Sequence, residues 1–182
     1  TDIESTVEFS LGVNAFMEHM NGLNELRREK LINKCKFGKK TKMKNAYFPH
    51  IIQNEPVKND IDLSKNIAIT GPNASGKTTT LKSTLLNLIF SQSFGYGFYS
   101  GATISPYNRI HCYLNIPDTS GRDSLFQAEA RRCKEIIESL EDGKKHFCIF
   151  DELFSGTNPN EACASSYGFI KFLIKNKNID FI

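Results

Sequence analysis

The chain has 182 residues, of which 40% are hydrophobic and 24% charged, and its formal net charge is +3. These values are typical of one soluble globular domain, and so small a net charge does not by itself indicate a nucleic-acid partner. The apolar runs are too short to span a bilayer, and the first ten residues lack the pattern of a secretory signal. The five cysteines form no CxxC pair, which argues against a zinc or disulfide framework and favours reduced thiols.

The first predicted element is a helix over residues 5–34. Its apolar residues recur at spacings of four and three and build one stripe: Phe9, Val13, Phe16, Met20 and Leu23. This pattern favours a helix that packs on its own domain, with a coiled coil or lever arm as the alternative. The run KCKFGKKTKMKN follows with six lysines. It is interpreted as a solvated loop, and the alternative is a contact with DNA phosphates.

Beyond residue 46, short apolar strands alternate with helices. Strands are predicted within KNIAIT at 65–70, in the second half of 94–116, in HFCIFDE at 146–152 and in NIDFI at 178–182. Helices are predicted over 80–94, 124–140 and 161–177. The alternation predicts an α/β fold with a mostly parallel sheet that helices cover on both faces.

The stretch ITGPNASGKTTTLKS at 69–83 satisfies the phosphate-loop pattern GxxxxGK[ST] between a predicted strand and a predicted helix. Glycines let the backbone curl so that successive N–H groups point at an anion, and the helix adds its positive end. Lys77 is predicted to reach the outer phosphates and Thr78 to bind Mg²⁺. The alternative is a glycine-bearing turn that matches by accident. The predicted nucleotide-binding residues are Gly71, Pro72, Asn73, Ala74, Ser75, Gly76, Lys77, Thr78 and Thr79.

Two acidic residues follow the apolar stretch 147–150. Asp151 would lie at the carboxyl end of its strand, where ligands bind in open α/β sheets, and is predicted to be the second metal ligand beside Thr78. Glu152 is predicted to act as the general base that accepts a proton from the attacking water, with Lys77 as the other catalytic residue. The alternative for Glu152 is an exposed residue at the end of a strand.

Several motifs in order resemble the ATPase domain of the MutS family, which is related to the ABC-type ATPases. EPVKNDIDLSKNIAITGPNASGKTTTLK resembles the family's first strand, P-loop and helix. ISPYNRI followed by TSGRDSLFQAEARR resembles its signature region, and FDELFSGTNPNEA resembles its acid-bearing strand with a trailing GT segment. The resemblance implies a helical lever segment over residues 1–45 and a P-loop NTPase domain over residues 46–182.

The resemblance also implies a mechanism. Two ATPase domains pair as a homodimer or heterodimer, and each ATP lies between one P-loop and the partner's signature loop. Ser120, Gly121 and Arg122 would then face the γ-phosphate bound by the other subunit, although a helix-capping turn is the alternative for this segment. Residues 155–157 would lie at the dimer seam. ATP with Mg²⁺ would act as a switch, and the lever would transmit the conformational change to regions outside this chain. Those regions bind double-stranded DNA, which is mismatched in the case of repair members.

Some positions depart from the family pattern. Ala74 and Ser75 stand where repair members usually have a bulkier residue and glycine, and Val57 stands where they often place an aromatic beside adenine. LFSGTN is closer to divergent MutS-like proteins than to mismatch-repair enzymes. No histidine follows NIDFI, where the family places a sensor of the γ-phosphate. We therefore expect an incomplete ATPase domain that hydrolyses ATP slowly in isolation.

Two alternatives remain at this point. One is another ABC-type ATPase of chromosome maintenance or transport, although TSGRDSLFQ replaces the transporter signature LSGGQ. The other is a nucleotide-dependent dimerisation module that does not hydrolyse ATP, against which the presence of Lys77, Asp151 and Glu152 argues. The absence of targeting signals is compatible with the cytoplasm, the nucleus or a viral factory.

Overall fold

A computed structural model describes residues 2–114, 124–141 and 143–182. The helices are α1 (Asp2–Arg28), α2 (Lys77–Phe94), α3 (Leu125–Glu138) and α4 (Pro159–Ile174), with a 3-10 helix at Pro49–Asn54. The strands are β1 (Asn33–Phe37), β2 (Lys42–Ala46), β3 (Asn59–Asp62), β4 (Tyr96–Gly97), β5 (Gly101–Ile104), β6 (Arg109–Tyr113), β7 (His146–Phe150) and β8 (Ile179–Phe181). The predicted α/β class is confirmed, and α2, α3 and α4 occupy the three helical stretches predicted beyond residue 46.

The strands form two sheets within the described residues. The five-stranded sheet has the order β3-β2-β5-β1-β4, and only its β1–β5 pair is parallel. The three-stranded sheet has the order β6-β7-β8 and is parallel throughout. The prediction of one mostly parallel sheet is therefore wrong for the larger sheet. The short segments 38–41 and 98–100 connect β1 to β2 and β4 to β5. Each of these two pairs runs in opposite directions, because a parallel return would need a crossover of a dozen or more residues.

Strand β7 is buried on both faces, which is why its sequence is a continuous apolar run. Phe147 and Ile149 belong to a core cluster that includes residues of α2 and the mixed sheet. Cys148 and Phe150 belong to a second cluster that includes residues of α3 and α4. The prediction that helices cover both faces is thus confirmed for the parallel sheet. This arrangement brings the end of β7 close to the start of α2.

Helix α1 is shorter and more exposed than its sequence predicts. It ends at Arg28 rather than near residue 34. Of the predicted apolar stripe, Leu23 is 8% exposed, whereas Phe9 is 74% and Phe16 62% exposed. Leu23 packs with Ile32 and two aromatic residues of the following segments. The preferred interpretation, a helix packed along its own domain, therefore holds only for the last turns of α1.

The lysine-rich run is not a loop, which corrects the sequence-based interpretation. Its two halves form β1 and β2, and each places one apolar residue, Cys35 or Met43, in the core between lysines that face outward. The available signal was the alternation of lysine with one apolar residue, Lys34-Cys35-Lys36 in β1 and Lys42-Met43-Lys44 in β2. Because β1 and β2 both pair with β5, the five-stranded sheet crosses the domain boundary expected at residues 45 and 46.

The segment that leads into the predicted P-loop lies beside β8 without forming a regular strand, so the predicted strand at 65–70 is wrong. Ile67 N–H donates to the Phe181 carbonyl at 3.0 Å, and Phe181 N–H donates to the Asn66 side-chain oxygen at 3.0 Å. A side chain thus replaces one of the backbone partners that a strand would supply. Among the helices that the structure describes, none combines the length and apolar character needed to cross a membrane.

Candidate nucleotide-binding site

The loop at 71–76 and the first turn of α2 form one exposed, curved segment. Gly76 caps α2 with φ +90°, a left-handed backbone angle that favours glycine. Ala74 also adopts a positive φ, +61°, although it carries a side chain. The first backbone N–H groups of a helix have no acceptor within the helix. In α2, the N–H groups of residues 77–79 are in this position, directly after the loop. These donors and the positive helix end suit an anion.

Thr78 and Asp151 connect this segment to the parallel sheet. The hydroxyl of Thr78 donates to Asp151 Oδ2 at 2.7 Å, and both side chains are partly buried. Asp151 directly follows β7, and its backbone N–H donates to the Tyr113 carbonyl at the end of β6. A hydroxyl and a carboxylate oxygen therefore lie side by side at the carboxyl edge of the sheet. Oxygen ligands of this kind are those that Mg²⁺ takes in proteins.

Lys77 curls back over the loop that precedes it. Its Nζ donates to the carbonyl oxygens of Gly71 and Pro72, both at 2.9 Å. These contacts place the ammonium group inside the curve of the loop rather than out in solvent. A concavity of about 380 Å³ is lined here by Asn73, Ala74, Ser75, Gly76, Lys77, Thr78, Thr79 and Glu152. The structure thus brings residues of the loop together with the second acid after β7.

The backbone after β7 is unusual. Glu152 has φ +51° and Phe154 has φ +57°, so two residues with side chains lie in the left-handed region within three positions. Such conformations cost roughly 1–3 kcal/mol each and persist where surrounding contacts hold them. The Glu152 side chain is exposed, whereas Phe154 is buried. The turn therefore directs the Glu152 carboxylate toward the concavity and anchors Phe154 in the core.

Two residues that the sequence did not single out hold this turn. Tyr113 accepts a hydrogen bond from Phe154 N–H at 3.2 Å through its hydroxyl oxygen. Glu129 of α3, only 2% exposed, accepts three hydrogen bonds. The donors are Ser155 N–H at 2.9 Å, the Ser155 hydroxyl at 3.0 Å and Gly156 N–H at 3.0 Å. Glu129 lies on the face of α3 that carries Phe126 and Cys133, and an acid within an apolar stripe was the available signal.

Gly156 packs directly on the start of α3. A Cβ at this position would lie 2.7 Å from Leu125 Cγ and 2.8 Å from the Phe126 backbone nitrogen. Only glycine fits so close an approach. The start of α3 is itself fixed by Ser124, which accepts from Gln127 N–H and donates its own N–H to the Gln127 side chain. The turn after β7 and the beginning of α3 are therefore one packed unit.

The remaining predicted site residues have different outcomes. Ser120, Gly121 and Arg122 lie outside the described residues, so their role stays a prediction. Val57, which stands where repair members often place an aromatic residue beside adenine, is 76% exposed. Residues 155–157 make contacts within the chain, through Glu129 and through Glu161, which accepts from the Thr157 hydroxyl. The structure thus gives this segment an intramolecular role that the sequence did not indicate.

Comparison with known proteins shows the family. The family model for MutS domain V matches residues 67–182. The chain is 34% identical over 125 residues to Endonuclease MutS2 of Staphylococcus haemolyticus, a match that covers 66% of this chain and 16% of that protein. It is 31% identical over 128 residues to DNA mismatch repair protein MSH3 of Scheffersomyces stipitis, covering 68% of this chain and 12% of that protein. The chain thus corresponds to a small part of the length of these relatives. It belongs to the MutS family, and the matched part is domain V.

Proposed function

We propose that this chain binds ATP with Mg²⁺ and hydrolyses it as domain V of a MutS-type protein that acts on double-stranded DNA. The observation that carries the proposal is the 2.7 Å hydrogen bond between Thr78 and Asp151. It joins the two residues, far apart in sequence, that a magnesium nucleotide requires at one place. An accidental glycine-bearing turn would not need an acid from a neighbouring strand at this position.

The described residues fit a magnesium nucleotide. The amides at 77–79 and the Lys77 ammonium offer positive charge to phosphate oxygens. Thr78 and Asp151 would hold Mg²⁺, which neutralises charge on the phosphates and orients them. Binding of a phosphate group would draw Lys77 from the carbonyl oxygens of Gly71 and Pro72, because an anion is the stronger partner for an ammonium.

Glu152 is the candidate general base. Its carboxylate lines the same concavity as the loop and is exposed to solvent, so a water molecule can reach it. The carboxylate would take a proton from the water that attacks the γ-phosphorus, while the bond between that phosphorus and the β-phosphate oxygen breaks. The products are ADP and inorganic phosphate. The positive φ of Glu152 supports this role, since strained backbone gathers at catalytic positions.

We further propose that two such domains pair around ATP, as the MutS resemblance implies, with residues 120–122 completing the partner's site. In such a pair, Glu129 would connect the two sites within each chain, because it ties the helix that follows residues 120–122 to the acid-bearing turn. Light scattering with and without ATP tests the pairing. A mass that stays constant at saturating ATP in a Glu152→Gln variant would contradict it.

The deciding experiment measures nucleotide affinity by calorimetry and ATP turnover with homoduplex and heteroduplex DNA. We expect magnesium-dependent binding and turnover that DNA changes. Lys77→Ala should abolish both, whereas Lys65→Ala, which removes an exposed lysine outside the concavity, should change neither. Binding without turnover would favour a dimerisation module, DNA-independent turnover would favour another ABC-type ATPase, and no binding would overturn the proposal.

A further inference from the structure

One face of the five-stranded sheet is lined with lysines. Strand β5 lies between β1 and β2, and its residue Thr103 is in register with Lys36 on one side and Lys42 on the other. Residues in register across a sheet point to the same face. Lys36, Thr103 and Lys42 therefore form one row across three strands.

A second row lies two residues along the strands. Lys44 is in register with Gly101, and Lys34 precedes Lys36 by two residues, so all of these side chains share the face of the first row. The intervening residues Cys35 and Met43 are buried on the opposite face. The alternation of core and lysine positions thus fixes the four lysines outward, in two lines with small residues between them.

The face is concave rather than flat. A groove of about 560 Å³ runs over it, lined by Lys34, Lys36, Lys42, Met43, Lys44, Asp60, Ile61, Asp62, Ser100, Gly101, Ala102 and Thr103. Neighbouring strands lie about 4.8 Å apart, so the lines of lysines on β1 and β2 are roughly 10 Å apart. Because Gly101 and Thr103 are small, a chain of phosphates can approach the floor of the groove between the two lines.

The acidic residues of the groove lie at one edge, on β3. Asp62 binds Lys42 at 2.7 Å, and Asp60 accepts a hydrogen bond from the Asn45 backbone N–H. Among the described residues, Lys34, Lys36 and Lys44 form no ion pair. Lys39 and Lys40, in the connection between β1 and β2, are exposed as well. The positive charge of the face therefore remains available at Lys34 and Lys36 of β1, at Lys44 of β2 and at this connection.

We propose that this lysine face binds the phosphodiester backbone of double-stranded DNA, independently of base sequence. Lysines contact phosphates as point charges and release counterions, which provides affinity without base recognition. The choice of DNA as the polyanion rests on the proposed function, whereas the groove and its charge do not. The proposal adds a DNA contact within this chain to the contacts expected from regions outside it.

The test compares two matched double variants. Lys34→Gln with Lys36→Gln removes two exposed charges of the face, and Lys175→Gln with Lys177→Gln removes two exposed charges with the same spacing outside the groove. Binding of a fluorescent random-sequence duplex is followed by anisotropy over a salt series, without nucleotide. The first variant should lower the slope of log affinity against log salt by about 2 and weaken binding about 10-fold or more at low salt. The second should match the wild type.

Separate measurements distinguish this proposal from the proposed function. Both variants should keep the wild-type melting temperature and affinity for magnesium ATP, since none of the four lysines lines the nucleotide concavity. Equal salt slopes for the wild type and both variants would contradict DNA binding by the lysine face and would leave the ATPase proposal intact. Binding to anionic phospholipid vesicles with the same lysine dependence, and none to DNA, would also overturn it. If the wild-type protein does not bind ATP, the ATPase proposal alone is contradicted.

Discussion

The Thr78 hydroxyl and Asp151 Oδ2 are 2.7 Å apart, although 73 residues separate them in the chain. Their contact depends on two packing relationships, namely the burial of β7 on both faces and the packing of α2 residues with Phe147 and Ile149. Thr78 and Asp151 each supply an oxygen beside the start of α2, where the first backbone N–H groups have no acceptor within the helix. This pair thus connects the parallel sheet to the loop that precedes α2.

Asp151→Asn should remove most of the magnesium dependence of nucleotide binding. An asparagine oxygen can still accept from Thr78, so the fold should be retained, but the negative charge that holds Mg²⁺ is lost. We expect affinity for magnesium ATP to fall about 10- to 100-fold, as for the loss of a charged partner, with little change in EDTA. Calorimetry with and without Mg²⁺ measures this, and Asp60→Asn is the control. Unchanged magnesium dependence in Asp151→Asn would contradict the assignment.

Glu152→Gln should separate binding from hydrolysis. The amide keeps the size of the side chain but cannot accept the proton of the attacking water, so turnover should fall by ~10²-fold or more. Affinity for ATP should stay close to that of the wild type. A phosphate-release assay measures turnover, with Glu138→Gln as an exposed control on α3. Wild-type turnover in Glu152→Gln would remove Glu152 from the catalytic role.

Glu129→Gln should destabilise the protein. The carboxylate accepts from two backbone N–H groups and one hydroxyl of Ser155 and Gly156, whereas an amide offers one acceptor oxygen and adds an NH₂ group that faces donors. One buried donor left without an acceptor costs about 1–3 kcal/mol.

The free energy of unfolding in urea measures this loss. Glu135→Gln, on the same helix but half exposed, should change it by less than about 0.5 kcal/mol. We also expect turnover of Glu129→Gln to fall, since the turn that carries Glu152 loses its anchor. Stability equal to that of Glu135→Gln would show that the three hydrogen bonds contribute little.

A buried histidine pair should make stability depend on pH. His111 Nε2 lies 3.0 Å from His146 Nδ1, and the rings stack at 5.3 Å. Burial first, and then the charges of His146, Arg132 and Arg109, lower the pKa of His111 below its ordinary 6.5. As the pH falls below 6.5, the unfolded chain therefore takes up a proton before the folded protein does.

This stability contribution should be complete above about pH 6.5 and should be lost as the pH falls further toward the lowered pKa of His111. Urea unfolding at a series of pH values between neutral and mildly acidic tests the sign. His111→Gln should flatten the dependence, because glutamine can accept from His146 without titrating, whereas His50→Gln at an exposed position should keep it. A rise in stability on acidification would contradict the direction.

Much of the candidate site could be located from the sequence because its signals are local. The GxxxxGK[ST] spacing located the curved loop before α2, and the apolar run before Asp151 identified a strand buried on both faces. Asp151 was expected beside Thr78 at the carboxyl end of its strand, and the two side chains are in contact. By contrast, Glu129 acts across sequence, since its partners lie 26 and 27 residues away. Only an acid on an apolar helix face indicated it.

The mixed sheet was misread for a physical reason. Strand β1 buries only Cys35 and strand β2 only Met43 and Ala46, and lysines dominate the rest of both strands, so their composition is that of a solvated loop. Strand formation there depends on pairing with β5, a relationship that local sequence does not encode. Helix α1 shows the opposite case. Its apolar residues recur at helical spacing, yet most of the predicted stripe is exposed.

The Glu129 carboxylate has a mechanical consequence. Its two oxygens serve all three donors of Ser155 and Gly156, and Gly156 lies so close to Leu125 and Phe126 that a Cβ would not fit between them. A small displacement of α3 against the turn would strain every one of these contacts at once. The helix and the turn must therefore travel as a rigid pair or separate in a single cooperative step, so that intermediate positions are sparsely populated.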